Sequence, residues 1–530
     1  VSATPRLRAP RQDGAVLAEP PLEQAGRLLD ENRRLLAVPL SILGRPLVEL
    51  RQQARQQAVA AAAAYLRQAG EPVPTAESAS LILAGHQPEL FHPGVWVKNF
   101  ALNALARRHG ATPLNLIVDN DTAKSASLRL PTRDAAAGVH LTSIAFDRWT
   151  SEIPYEELPV HDEELFASFA ERAMQPLRVW PMEPLLPEFW TEVRRQAERT
   201  PLLGERFAAA RRTYERRWGC HNLEVPLSAL CRSEAFAWFA CHILTDLPRF
   251  HAVYNAGVQE HRRQHGIRSR NHPVPDLARD GDWYETPFWA WRAGQTRRGR
   301  LFVQVAGDQR TLRSGDDVWM TLPAGPAGVA AWLDLERQGC KVRTRALTTT
   351  LFSRLLLADL FIHGIGGGKY DELTDELMRR FFGCAAPAFL VLSATLLLPV
   401  PVHDVQSEQR RGLAHQLRDL AYNPQRHLGD GEGAVASVRE LVARKQALIE
   451  QHPESRKDRR QRFSDIRAVN GALQDGMREQ TLDVQRRLNS VDDELRENAV
   501  LQRRDFAFCL FPEAKLRPFC EGFLQSRTIS

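Results

Sequence analysis

Cysteine is scarce and unpatterned: the seven thiols, at 220, 231, 241, 340, 384, 509 and 520, are odd in number and nowhere spaced Cys-x-x-Cys. Such scatter argues against a disulfide framework and for a chain kept reduced, so a cytoplasmic location is expected. Long apolar runs are missing too. The longest stretch, 385–402, is broken by Pro387, Pro399, Pro401 and the Ser393-Ala394-Thr395 triplet, whereas a membrane span needs roughly 20 mostly apolar residues. No membrane segment is expected. The opening VSATPRLRAPRQDG lacks the hydrophobic stretch of a secretory signal. Charge of one sign hardly dominates, since 70 basic and 64 acidic residues leave a net +6. An excess this small suits an acidic small molecule as well as nucleic acid and requires neither. Also absent are a fixed-period repeat, a long low-complexity tract, a GxxxxGK[ST] phosphate loop and a GxSxG nucleophile elbow. A Walker-type nucleotide site is thereby excluded.

What is present centres on LILAGHQPELFHPGVWVKNFALNALARRHGATPLNLIVDNDT, residues 81–122 of a 530-residue chain long enough for two to four domains. The stretch reads as strand, loop, helix, strand. A short apolar run ends at Gly85, and a polar loop follows. Pro93 then opens a helix at its first position, where the missing N–H costs nothing. Arg107, Arg108 and Gly110 mark the helix end. The second strand, 114–118, runs into Asp119, Asn120 and Asp121.

Around this centre, 1–78 reads as a polar, Pro-rich start and a helical lead-in closed by the linker 71–78, and 79–148 as the first part of an α/β core. Residues 149–246 read as a helical insertion, with helical spacing in 161–178 and 189–217 and a strand at 223–226. The second part of the core is expected over 247–420. It includes a strand-to-helix passage at 249–265 with Asn255 at the junction, a β hairpin around Gly307-Asp308 and a strand at 341–347. A glycine loop at 364–369, a helix from Tyr370 and a buried strand at 388–398 complete it. Beyond 421 the pattern is a charged helical arm extending to 505. Met477, Thr481, Val484, Leu488, Val491 and Leu495 form an a/d seam, and Val435, Val438, Leu441, Val442 and Leu448 form a shorter run taken as its partner. The aromatic tail 506–530 is expected to pack back on the core.

The candidate site follows from the strand ends. Gly85, His86, Gln87, His92 and Gly94 surround a helix N-terminus, where backbone donors suit an anion and imidazoles supply switchable contacts. Asp119, Asn120, Asp121 and Thr122 lie at the carboxyl end of the neighbouring strand, where a carboxylate could hold an amine or act as base. Asp119, Asp121, His86 and His92 are the catalytic candidates. Asn99, Asn255, Gly366, Gly367, Gly368 and Lys369 are added as substrate or nucleotide contacts. Lys98 reads as an ordinary solvated helix position. His261, His265 and His272, like the Cys-His pairs at 220–221 and 241–242, match no zinc spacing, so no metal site is expected. The basic run 456–462 contains Asp458 and reads as a solvated helix end, and nucleic acid is not expected as a partner. The nine Trp among residues 180–332 read as packing.

The order of these features, from the first loop through the glycine turn and the run LSATLLLP to the late coiled coil closed by LFP, resembles the bacillithiol-biosynthesis cysteine-adding enzyme (BshC) family over most of residues 80–515. That family typically shows GQQ where this chain has Gly85-His86-Gln87, an EDHD-like strand end where it has Val118-Asp119-Asn120-Asp121, and Gly-Gly-Pro-Gly-Glu where it has 364–369. The resemblance implies a Rossmann-like, doubly wound parallel sheet with helical insertions and a C-terminal antiparallel coiled coil. It also implies dimerisation through that coil and a ligase joining an amino acid, cysteine in the family, to an amino-sugar or related amine. A second reading starts from His92-Pro93-Gly94-Val95, which is close to the H-x-G-H of nucleotidyl-transferring enzymes and would bring an adenine nucleotide as cofactor. A third is a non-catalytic scaffold recruiting partners through the coiled coil.

Overall fold

The computed structural model describes residues 7–76, 78–272, 274–428 and 436–525. Glu77 of the linker, Gly433 and Val435 of the expected arm, and both chain ends (1–6 and 526–530) lie outside the described residues. The fold is mixed α/β. The chain divides into two units: Val1–Leu130, Thr142–Pro399 and Arg504–Ser530 form one, and Pro131–Leu141 with Val400–Arg503 the other.

The first unit is built on a six-stranded sheet of β1 (Val16–Glu19), β2 (Leu81–His86), β3 (Thr112–Ile117), β4 (Leu223–Pro226), β5 (Leu360–His363) and β6 (Phe389–Ala394), in the order β1-β6-β5-β2-β3-β4. β1 runs antiparallel along β6, and the other pairs are parallel. Val16–Glu19, in the stretch expected to be a polar, Pro-rich start, is the edge strand of this sheet. The helices of this unit that matter for the site are α1 (Ala25–Leu36), α2 (Leu47–Gln68), α3 (Pro93–Arg108), α4 (Leu203–Arg217), α5 (Leu247–Gln264) and α6 (Ile365–Leu377). α2 buries Leu50, Ala54, Ala58 and Ala62 in one cluster with Leu81, Leu83, Leu114, Leu116, Leu223 and Val225. Alanines at this spacing bring the helix axis close to the strands, which a run of larger side chains would prevent. The intervening positions, Asn115 and Glu224, alternate to the opposite side of the strands, as the two-residue period requires.

Several sequence assignments change. The passage 249–265 is helical from Leu247 on, not strand then helix: Phe250, Tyr254 and Val258 are buried four apart, and the alternation that suggested a strand is the same residues seen at spacing two. The expected hairpin belongs to a six-stranded antiparallel sheet ordered Asp317–Pro323, Gln309–Ser314, Gly299–Ala306, Trp283–Arg292, Cys340–Thr344, with the short strand Arg279–Asp280 also paired to Trp283–Arg292. Cys340–Thr344 is the strand expected at 341–347, which therefore does not join the parallel sheet. At the hairpin turn the positive φ, 53°, falls on Gly307, as a type II′ turn demands. The glycines at 364–369 begin α6 instead of forming a loop before it. Gly368 permits this, because a Cβ there would lie 2.5 Å from Val391 of β6.

In the second unit, α7 (Ser407–Tyr422), α8 (Ala436–Glu450), α9 (Arg456–Gln474) and α10 (Arg478–Leu501) pack in two pairs. Met477, Val484 and Leu488 meet Leu413 and Leu420 of α7, while Leu448 of α8 meets Val469 and Leu473 of α9. The seam at 477–495, expected to pair with the 435–448 run, packs instead on residues expected in the core, so this unit starts near Val400, not at 421. The tip of the two-stranded hairpin Ser127–Asp134 and Gly138–Ala145 belongs here too, where Glu497 accepts from the Val139 N–H at 3.1 Å and contacts His403 Nε2 at 2.7 Å. Among the described residues no helix is long and apolar enough to cross a membrane.

Candidate functional site

His92 caps α3 in an extended conformation (φ −80°, ψ 159°), and its carbonyl accepts from the Val95 N–H at 2.9 Å. Pro93 at the first helical position fixes that entry. Gly94 is required by close approach: a Cβ would fall 2.0 Å from the Ala394 carbonyl at the end of β6 and 2.8 Å from an Arg504 guanidinium nitrogen. Arg504 donates to that same carbonyl and to Ser393 Oγ, both at 2.9 Å. Two polar atoms in this corner are buried without a partner, His92 Nδ1 and Arg504 Nε. Burial, with Arg504 next in effect, pushes the His92 imidazole down to about 4, so it is neutral at pH 7. A neutral imidazole nitrogen and a guanidinium N–H are thus left without a protein partner beside a helix N-terminus, an element that in general favours anions.

His86 sits deeper. Its Nδ1 is 3.0 Å from the Gln87 carbonyl and its Nε2 is 3.2 Å from Asn99 Oδ1. Phe91 packs edge-on at 4.3 Å, and burial brings the imidazole down to about 3. A neutral ring has one N–H and can donate to only one of these two oxygens, and that contact, with the burial, fixes His86 as a group that orients the loop. Asn99 is equally committed, donating to Glu215 Oε1 at 2.7 Å. Lys98, expected in solvent, is buried and donates to the Gly85 carbonyl at 2.9 Å, with burial lowering its pKa to about 8.

At the carboxyl end of β3 the chain turns so that Asp119 faces the start of the short helix after β4. Ser228 donates its N–H to Asp119 Oδ1 at 2.9 Å and its hydroxyl to Oδ2. Burial, seconded by Glu156, drives the Asp119 carboxyl up to about 7, although both Ser228 bonds oppose the shift. Asp121 is different in kind: Arg298 at 3.1 Å, Gln87 Nε2 at 2.9 Å and the Thr122 N–H at 2.9 Å hold it as an anchored carboxylate. Glu89 close by is raised by burial and by Asp121. Asn120 donates to the Thr344 carbonyl at 2.7 Å, and Thr122 Oγ1 reaches Glu152 at 3.3 Å.

Asp119 and Ser228 open into a cleft of about 440 Å³ whose other polar walls include Tyr155, Glu156, Glu205 and Lys341. Lys341 pairs with Glu157 and lies 3.5 Å from Glu156, so the rim carries both signs of charge. Behind it, fully buried, Arg211 bridges Glu215 and Glu224, while Arg212 bridges Glu224 and Glu71. Glu71, expected in a linker, is an anchor of this network. The network joins α3, α4 and β4 under the site and uses up its own charges, so its role is to hold the loops above it.

The remaining candidates lie elsewhere. Asn255 exchanges both side-chain bonds with the Leu277 backbone, at 2.9 and 2.8 Å, and fastens a loop. Gly366 has open space around it, Gly367 abuts His363 Nδ1, and Lys369 is exposed. Sequence reasoning missed Ser228, Arg504 and Arg298. Ser228 follows directly on a strand that the sequence did show, so asking what lies at that strand's carboxyl end would have found it. It also missed that Glu372 stands 3.5 Å from His261 Nδ1 and 3.0 Å from His265 Nε2. Compared with protein-family models and with curated proteins, the chain matches none.

Proposed function

We propose that this chain is an enzyme, a ligase of the bacillithiol cysteine-adding kind. It would join the carboxyl of an amino acid, cysteine in that family, to an amino-sugar or similar amine on a Rossmann-like core. The observation that carries the reading is Asp119, a buried carboxyl at the end of a parallel strand, held near 7 and opening on a polar cleft. An amine nucleophile must lose a proton as it attacks, and a base is most effective when its pKa lies near the working pH. Taken in chain order, the parallel strands lie 5-4-1-2-3 across the sheet, the arrangement of dinucleotide-binding cores, in which ligands sit beyond the carboxyl ends. The His92–Arg504 corner supplies an anion contact for a carboxylate.

The same corner favours the second reading, a nucleotide-binding enzyme, because a phosphate would satisfy it equally. Forming an amide from a free carboxylate expels an oxygen that has to be activated, and an adenine nucleotide is the cofactor class that would do this. A homodimer through the second unit is part of the proposal. Tyr422, Phe463 and Leu482 are 62, 64 and 61% exposed there, apolar surface that a coiled-coil partner would cover.

Calorimetric titration with cysteine, an amino sugar, ATP, ADP and AMP tests the reading. Binding of cysteine and the amino sugar supports it, and binding of nucleotide alone favours the second reading. Binding of none leaves the scaffold.

A further inference from the structure

Away from the cleft, α5 and α6 pack against each other with Gly257 facing Leu373 and Glu376. One turn beyond Gly257, α5 presents His261, and a further turn on presents His265 at the helix end. α6 contributes Glu372. These three side chains can each offer one ligand atom with all three atoms within 4.8 Å of one another, and they are the one such group among the described residues. His261 is buried, the imidazole rings lie 4.3 Å apart, and Glu372 Oε2 faces both.

We propose that His261, His265 and Glu372 form a binding site for a divalent transition-metal ion of the zinc class. Two imidazoles and a carboxylate are the donors such an ion takes, at about 2.0–2.2 Å. Ligand atoms set tetrahedrally at that radius lie roughly 3.3–3.6 Å apart. Of the two observed nitrogen–oxygen separations one, 3.5 Å, falls in that range and the other, 3.0 Å, a few tenths of an ångström below it, so small side-chain movements would seat the ion. Histidines at i and i+4 on one helical face are the arrangement that lets one helix supply two ligands.

The intervening residues are not free to compete. Arg262 is spent on the loop that follows, donating to Asp276 Oδ2 and to the Val274 carbonyl, both at 2.6 Å, and Arg263 pairs with Glu260 at 2.6 Å. No carboxylate lies between the two histidines in sequence, so the helix lacks the internal general base of hydrolytic His-Glu-x-x-His sites. The geometry therefore assigns the ion a clamping role. Glu372 follows Asp371, whose carboxylate holds His363 at 2.8 Å and Arg354 at 2.5 Å, so an ion there ties α5 to the middle of α6 and, through Asp371, to the end of β5.

The test uses untagged full-length chain stripped with a chelator and titrated with Co(II), with Zn(II) in parallel. One equivalent of Co(II) should give the visible d–d bands of a low-coordinate site without sulfur-to-metal charge transfer. One equivalent of Zn(II) should raise the melting temperature by several degrees. His265→Ala and Glu372→Gln change partly exposed residues, should fold, and should lose the bands and weaken Zn(II) binding at least tenfold. Absence of stoichiometric binding would overturn the site. So would bands that survive in both variants, or charge-transfer bands that place the ion on cysteine.

Discussion

Ser228 gives both of its donors, backbone and hydroxyl, to the carboxylate of Asp119, and still the Asp119 carboxyl is held near 7 against its ordinary 3.8. Burial therefore outweighs two hydrogen bonds, and the protein carries a carboxyl that it would hold more cheaply as a neutral group.

That imbalance has a sign. Between pH 4 and 7 the folded chain binds a proton at Asp119 that the unfolded chain does not, so this residue's contribution to stability is fully present below the unfolded value and is lost as pH rises through about 7. The loss is on the order of 4 kcal/mol for a shift of this size. Asp119→Asn should accordingly be more stable than the parent at pH 8 and gain little at pH 4, as read by denaturant midpoints at the two pH values. Equal stability of the two proteins at pH 8 would mean that the carboxyl is not desolvated.

Removing the imidazole in His92→Ala should weaken binding of an anionic ligand by about 1–3 kcal/mol, the worth of one hydrogen bond to a charged group. Arg504→Gln should do the same. His92 Nδ1 has no partner to lose, whereas Arg504→Gln also gives up the bonds to Ser393 Oγ and the Ala394 carbonyl, so its melting temperature is read beside its affinity. Titration with cysteine and with ATP would show which anion uses the corner. Unchanged affinity for both ligands in both variants would remove the corner from the site.

The glycines separate two roles. Gly366→Ala meets open space inside a helix and should stabilise by about 0.5–1 kcal/mol through helix propensity. Gly94→Ala drives a methyl onto the backbone at Ala394 and should destabilise by about 3 kcal/mol or more, or prevent folding. Thermal melts of the two variants decide it. If Gly366→Ala were the destabilising one, residues 364–369 would be the loop that the sequence suggested.

Exposed Phe463 and Leu482 make the proposed dimer testable without deletion. Light scattering should find the parent as a dimer and Phe463→Glu/Leu482→Glu as a folded monomer. A double variant that stayed dimeric would place the interface elsewhere.

The central strands and the helix between them were legible because local signals agree there: an apolar run, Pro93 at a helix start, and glycine after a basic last turn. The ends of β2, α3 and β3 fall within two residues of the expected ones. What was not legible depends on distant partners. Lys98 is buried because Gly85 offers a carbonyl, and Glu71 because two arginines of α4 reach it. Glycines 366–368 are helical against their own propensity, and His363 and Val391, which leave no room for side chains at 367 and 368, are why glycine stands at those two positions. Asp119 and Asp121 look alike in sequence and differ only in what the fold places opposite them: Ser228 and burial for one, Arg298 and Gln87 for the other. For the same reason the seam at 477–495 announced that it needed a partner without saying which helix.

The most direct measurement follows amide formation between cysteine and an amino sugar, with ATP present, by mass spectrometry across pH 5–9 in the parent and in Asp119→Asn. With Asp119 as the base, the parent's rate should rise through about pH 7 and level off. Asp119→Asn should fall by about 10²–10⁴ and lose that pH dependence while remaining folded. A folded Asp119→Asn that kept the parent's rate and profile, or a parent that made no product at any pH, would contradict the account.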